Sequence, residues 1–184
     1  KRLLAQDGIL VNKATTKSGD TPLFMACQED HVRCVKLLLA APRVDVNQAD
    51  KDGITPLIIA CQKGHLRSLK LLLAREDIRV NQASSDNGTG TNDGPYQCVI
   101  PLRAAAHFGR LDVVRLLVKR KGLDLDKPGK AKKMRGFESP LQTARRGGHH
   151  EVAGVLLRRR TRRACRRRPS LGCRRRPACR RTRS

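Results

Sequence analysis

Aromatic side chains are scarce: there is no Trp, one Tyr and three Phe among 184 residues. A core built around large rings is thereby excluded, and closure through Leu, Val and Ala is left. No apolar run approaches the roughly 18 residues of a membrane span. Chemistry-bearing motifs are missing too. Residues 88 to 94, GTGTNDG, lack the Lys-Ser/Thr ending of a phosphate loop, and no nucleophile accompanies His149 and His150. One region, Arg158 to Ser184, has no acidic residue at all.

What is present is repetition. Residues 19 to 52, GDTPLFMACQEDHVRCVKLLLAAPRVDVNQADKD, and 53 to 83, GITPLIIACQKGHLRSLKLLLAREDIRVNQA, align with a period of 34, which sets Pro22 on Pro56, Leu37 on Leu71 and Asn47 on Asn81. Self-similarity at that period marks a stack of small helical units. In each unit Thr21-Pro22 or Thr55-Pro56 opens a short helix, because Thr caps free N–H groups and Pro has none to cap. Ala26 and Ala60 allow close approach of a neighbour. Glu29-Asp30 and Lys63-Gly64 make the turn, and a second helix starts near His31 and His65. Its apolar set, with Leu37 and Leu38, and then Leu71 and Leu72, is too wide for a one-sided helix, so it must touch both its partner helix and the next unit. VDVNQA and IRVNQA then run briefly extended into a tight turn at Asp50–Gly53.

These residues resemble the ankyrin repeat: TPL, a small-residue helix, a G-H turn, an LLL helix, V-N and a D-x-x-G turn. Weaker copies run from Ile100 to Asp126 and from Ser139 to Leu157. Residues 3 to 14 look like the end of an earlier unit, and Lys1 in the place of a Met points to a piece of a longer chain. The resemblance implies an all-α solenoid of stacked helix-turn-helix units with hairpin-like turns, occupying residues 1–157. Its parts are a partial repeat at 1–18, repeats at about 19–52, 53–83, 100–126 and 136–157, and a flexible insertion at 84–99. Departures carry information. The His that usually follows TPL is Phe24, Ile58, Arg103 and Gln142, so its polar bond is expected to be absent throughout. One extra residue lies in AAPRVDVN. Ile100 stands where a capping Thr or Ser belongs, which marks the third repeat as the expected weak joint.

Cys27, His31 and Cys34 are close in sequence, but Cys27 aligns with Cys61 and Ala106, a small packing position. Cys165, Cys173 and Cys179 have Arg neighbours and neither common zinc spacing. Buried thiols in a reduced compartment are expected, with no metal and no cofactor. The block at 158–184 holds fourteen Arg and carries +14 of the formal +24, leaving +10 on residues 1–157. Such a block self-repels and is expected to be disordered and low in complexity. Arg158, Arg159, Arg160, Arg162, Arg163, Arg166, Arg167, Arg168, Arg174, Arg175 and Arg176 are its polyanion candidates. The +10 of the repeats is expected to be spread among acidic residues.

The function implied by the resemblance is a non-enzymatic, monomeric scaffold that holds a protein partner, in the cytoplasm or nucleus. The family's contacts come from turn tips and the first-helix surface. Carried over, they fall on Lys17, Ser18 and Asp20; Gln28 and Glu29; Lys51, Asp52 and Ile54; Gln62 and Lys63; His107 and Phe108; Arg145 and Arg146. Phe108 is the expected anchor, since Glu29 and Lys63 occupy its place in the clear repeats. Two other readings remain open: a nucleic-acid-associated protein that uses the arginine block, and a regulatory region of a larger enzyme.

Overall fold

The computed structural model describes residues 10–84, 99–126 and 139–167, with backbone alone for 162–167. Eight helices and no strand are found among the described residues: α1 (Pro22–Gln28), α2 (Val32–Leu39), α3 (Pro56–Lys63), α4 (Leu66–Leu73), α5 (Pro101–His107), α6 (Leu111–Leu117), α7 (Pro140–Arg146) and α8 (His150–Arg167). They form pairs. The first helices α1, α3, α5 and α7 stack in that order as an inner layer, and α2, α4, α6 and α8 stack behind them.

Starts and turns follow from single residues. Thr21 accepts from the Phe24 amide at 3.1 Å and Thr55 from the Ile58 amide at 3.3 Å, each with Pro at the first helical position. Ser139 goes further: it caps Gln142, whose side chain accepts from the Ser139 amide at 2.8 Å, a reciprocal capping box. This corrects the expectation that the position after TPL makes no polar bond anywhere. The chain reverses between helices through a left-handed residue, with φ +86° at Gly64, +62° at Gly109 and +71° at Gly148, and Asp30 takes the same role at +50°.

Ile100 makes no side-chain cap, as its chemistry requires. Its side chain is instead only 1 % exposed. A missing cap costs about 1 kcal/mol, while burying an aliphatic side chain returns about 1.5 to 3 kcal/mol. The third repeat is therefore not weakened at this point.

The core runs through the stack in columns. Leu23, Leu57, Leu102 and Leu141 form one, and Val35, Leu69, Val114 and Ala153 another, all buried. Leu72, Leu117 and Leu156 are buried as well, whereas Leu38 is half-buried because α2, packed on α1, has a described outer-layer neighbour, α4, on one side only. Leu37 and Leu71, expected to pack on both sides, are only half-buried, as is Leu116 at the same position of the third repeat. Each stands one residue from the buried column, which on a helix of 3.6 residues per turn means a rotation of about 100°.

The described fingers close with one bonding pattern. The Asp50 amide donates to Ile54 O at 3.0 Å while Asp50 Oδ1 accepts from the Ile54 amide at 2.7 Å. Ser84 and Val99 repeat this at 3.0 and 2.8 Å. Both are buried. They form the base of a finger and not part of a loop, so the insertion starts after Ser84 and ends before Val99. Residues 85–98, the bulk of the expected flexible insertion, lie outside the described residues.

The boundary expected at Leu157 is not a helix end, since α8 continues through Arg158 to Arg167. Arg is a good helix former, so the sequence change after Leu157 does not stop the helix. Arg168, Arg174, Arg175 and Arg176 lie outside the described residues.

Candidate partner-binding face

The candidate residues fall into two rows at opposite ends of the first helices. A seven-residue helix is about 10 Å long. One row is the fingers, with Lys17, Ser18 and Asp20, then Lys51, Asp52 and Ile54. The other is the far ends of α1, α3, α5 and α7.

The finger row is partly committed to its own structure. Ser18 donates to the Asp20 carboxylate and lies 2.9 Å from the Thr15 hydroxyl, and Thr15 accepts from the Asp20 amide at 3.1 Å. Lys51 ties one finger to the previous one, with its amide on Ser18 O at 3.0 Å and its Nζ on Thr16 O at 2.5 Å. Lys17 and Asp52 are exposed, and Ile54 is half-buried. Burial, with Asp52 and Asp20 nearby, raises the Asp50 carboxyl above its ordinary value, although the Ile54 amide pulls the other way.

In the second row Glu29, Lys63, Arg145 and Arg146 are exposed and Gln28 half-buried, its amide donating to Glu29 at 3.0 Å. Gln62 is buried at 8 % exposure, so its side chain does not present a surface, a correction to the sequence expectation. His107 and Phe108 meet edge to face with ring centres 4.9 Å apart, both half-buried. Nothing in the repeat pattern points to Met25, 42 % exposed on α1. Charge changes sign along the row, from Glu29 through Lys63 to Arg145 and Arg146.

Two ladders set the repeats against one another and thus fix the spacing of both rows. At the start of the second helices His65 bonds Gln28 O at 3.1 Å, Arg110 donates to Gln62 O at 3.0 Å and His149 bonds His107 O at 2.9 Å. The residue whose repeat position reads as His or Arg thus reaches the carbonyl at the end of the previous first helix. Across the loops Asn12 spans Arg43 O and the Asp45 amide, Asn47 spans Asp77 O and the Arg79 amide, and Asn81 spans Gly122 O and the Asp124 amide, all at 2.7 to 2.9 Å. The third repeat has Asp126 in that place. A carboxylate cannot donate, and Asp126 pairs with Arg160 of α8 at 3.3 Å.

Cys27 and Cys61 are buried and Cys34 exposed. Burial, with Asp30 beside it, pushes the Cys27 thiol up to about 12, and burial alone raises Cys61 further. Such thiols are inert packing groups. Among the described residues no three His, Cys, Asp or Glu stand close enough to hold a metal ion, and no helix is long and apolar enough to cross a membrane.

Helix pairs stacked in register, joined by bonded fingers and Asn ladders, define a repeat solenoid. The family description "Ankyrin repeats (3 copies)" matches residues 1–84 and "Ankyrin repeat" matches residues 100–130, together more than half of the chain. The chain belongs to the ankyrin-repeat family, whose repeats are generally protein-interaction modules. No curated protein matches it.

Proposed function

We propose that the chain is a non-enzymatic scaffold that holds a protein partner along the first-helix row and the exposed fingertips. The observation that carries this is the aromatic edge of His107 and Phe108 at the end of α5, half-exposed in a row otherwise made of polar groups and Met25. Aromatic side chains at the middle of a patch supply most of the energy of an interface, and a surrounding polar rim orients the partner. Lys63, Arg145 and Arg146 favour an acidic segment of the partner beside that anchor. In this reading residues 1–157 form the repeat domain, and the arginine block begins as a continuation of its last helix, α8.

A displayed random-peptide library panned on the whole chain tests the idea. Selected peptides should carry acidic residues, and Phe108→Ala should weaken their binding by about 2 kcal/mol, the scale of an interface hot spot. Peptides that bind Phe108→Ala and parent equally would place the face elsewhere.

A further inference from the structure

The repeats were expected to spread their positive charge, but the fold concentrates it. On α2 and α4 the sequences VRCVKLLL and LRSLKLLL contain no acid, and Arg33, Lys36, Arg67 and Lys70 are all exposed. None of these four has an ion pair or side-chain hydrogen bond among the described residues. Arg115 continues the row on α6, held only by an exposed 3.5 Å pair with Asp112. Asp112 and Glu151 are the only acids in the four outer helices. The other acids near the stack, such as Asp45, Asp50, Asp77 and Asp124, sit in loops and fingers.

Register makes these cations a surface. Lys36, Lys70 and Arg115 occupy one repeat position, and Arg33 and Arg67 another, three residues earlier. Residues three apart on a helix are neighbours at about 5 to 6 Å, and packed helices lie about 8 to 10 Å apart. The row therefore spans about 20 Å from α2 to α6, over which a duplex carries about twelve phosphates. We infer that the outer helices α2, α4 and α6 form a binding surface for the phosphate backbone of a nucleic-acid duplex. This surface shares no residue with the proposed partner face. It lies on the side of the stack from which α8 continues as an arginine-rich helix.

The chemistry of the row selects this occupant. Membrane-surface helices bury an apolar face, and none of the exposed large apolar side chains, Leu10, Met25 and Leu157, lies on α2, α4 or α6. Two columns of point charges on α2 and α4, of which α6 continues one through Arg115 while Asp112 takes the other position, without aromatic groups, fit sequence-independent contact with phosphates.

The test uses the whole chain and a short random-sequence DNA duplex, with binding measured by fluorescence anisotropy. One variant carries Arg33→Gln, Lys36→Gln, Arg67→Gln and Lys70→Gln. A second removes the same charge from exposed loop positions, through Lys13→Gln, Arg43→Gln, Arg79→Gln and Lys121→Gln. Gln keeps helix propensity, and circular dichroism checks the fold. For the first variant the slope of log affinity against log salt should shrink by about 0.9 for each lost contact, about 3.6 in all, between about 50 and 200 mM salt. The loop variant should lose less than half as much. Equal losses in both variants, or none in the first, would overturn the surface and leave the arginines after Leu157 as the binding element. Stripe-dependent binding to phosphatidylserine vesicles or polyglutamate that exceeds binding to the duplex would overturn the choice of nucleic acid.

Discussion

The second and third repeats fold alike and are held differently. Both stack a helix pair with a fully buried Leu, at 72 and 117, and both close a finger at its base. The second has a Thr cap, a flexible Arg110 reaching over Gly64 and an Asn81 that bridges onward. The third has an apolar Ile100 in place of the cap, a rigid His149 ring over Gly109 and an Asp126 that pairs with a later helix. Stacking through apolar columns is thus the common requirement, and the polar devices are interchangeable solutions at one position.

Breaking the common requirement should have the largest effect. Leu72→Ala and Leu117→Ala should each cost about 2 to 5 kcal/mol by opening a cavity between repeats. Urea denaturation gives the number, and a loss under 1 kcal/mol at either site would remove the claim that both repeats rest on the column.

The glycine turns separate the two repeats next. A Cβ added at Gly109 would sit 2.5 Å from His149 Nδ1, whereas at Gly64 it meets the Arg110 Cδ at 3.0 Å. Both sites have left-handed φ, which costs about 1 to 2 kcal/mol with Ala. Gly109→Ala should cost about 1 kcal/mol more than Gly64→Ala, since it also displaces the His149 bond to His107 O. Equal losses would show that His149 yields as readily as Arg110.

The loop ladder gives a smaller contrast. Asn81→Ala removes two bonds to Gly122 and Asp124 and should cost about 1 to 3 kcal/mol. Asp126→Ala breaks an exposed pair and should cost under about 1 kcal/mol. Thermal melts of the two variants side by side decide this, and a larger loss at Asp126 would mean that Arg160 anchors α8.

Smallest is the finger base, where Asp50 faces its counterpart Ser84. A carboxyl raised in the folded state stabilises the fold most below its ordinary value of 3.8, and that stabilisation is lost as pH rises through the raised value. Asp50→Ser should therefore flatten the stability profile just above pH 3.8 and leave neutral stability equal or slightly higher. A variant that loses stability at neutral pH but keeps the parent's acid profile would assign the shift to another group.

Much of this was legible from local patterns. Thr21, Thr55 and Ser139 announce helix starts because a hydroxyl next to Pro satisfies amides within three residues, and Gly64, Gly109 and Gly148 announce turns because of their backbone freedom. The buried Leu columns follow from the period. The candidate face was legible only as positions: Gln62 was assigned to the surface because its repeat register says so, and the neighbours that bury it are not visible in a single unit. Met25 gave no signal at all, since a Met within an apolar helix looks like core.

The sequence by itself determined the repeat, its helix pairs and their order of stacking, because these depend on contacts within about 34 residues that recur. Tertiary structure alone decided what lies between repeats. Whether Ile100 compensates for its missing cap, which carbonyl Arg110 and His149 reach, where Asp126 finds a cation and how Arg33, Lys36, Arg67 and Lys70 line up all depend on side chains from different units. Their distance in space is set by the stack and not by any local pattern, and burial and charge are properties of that distance.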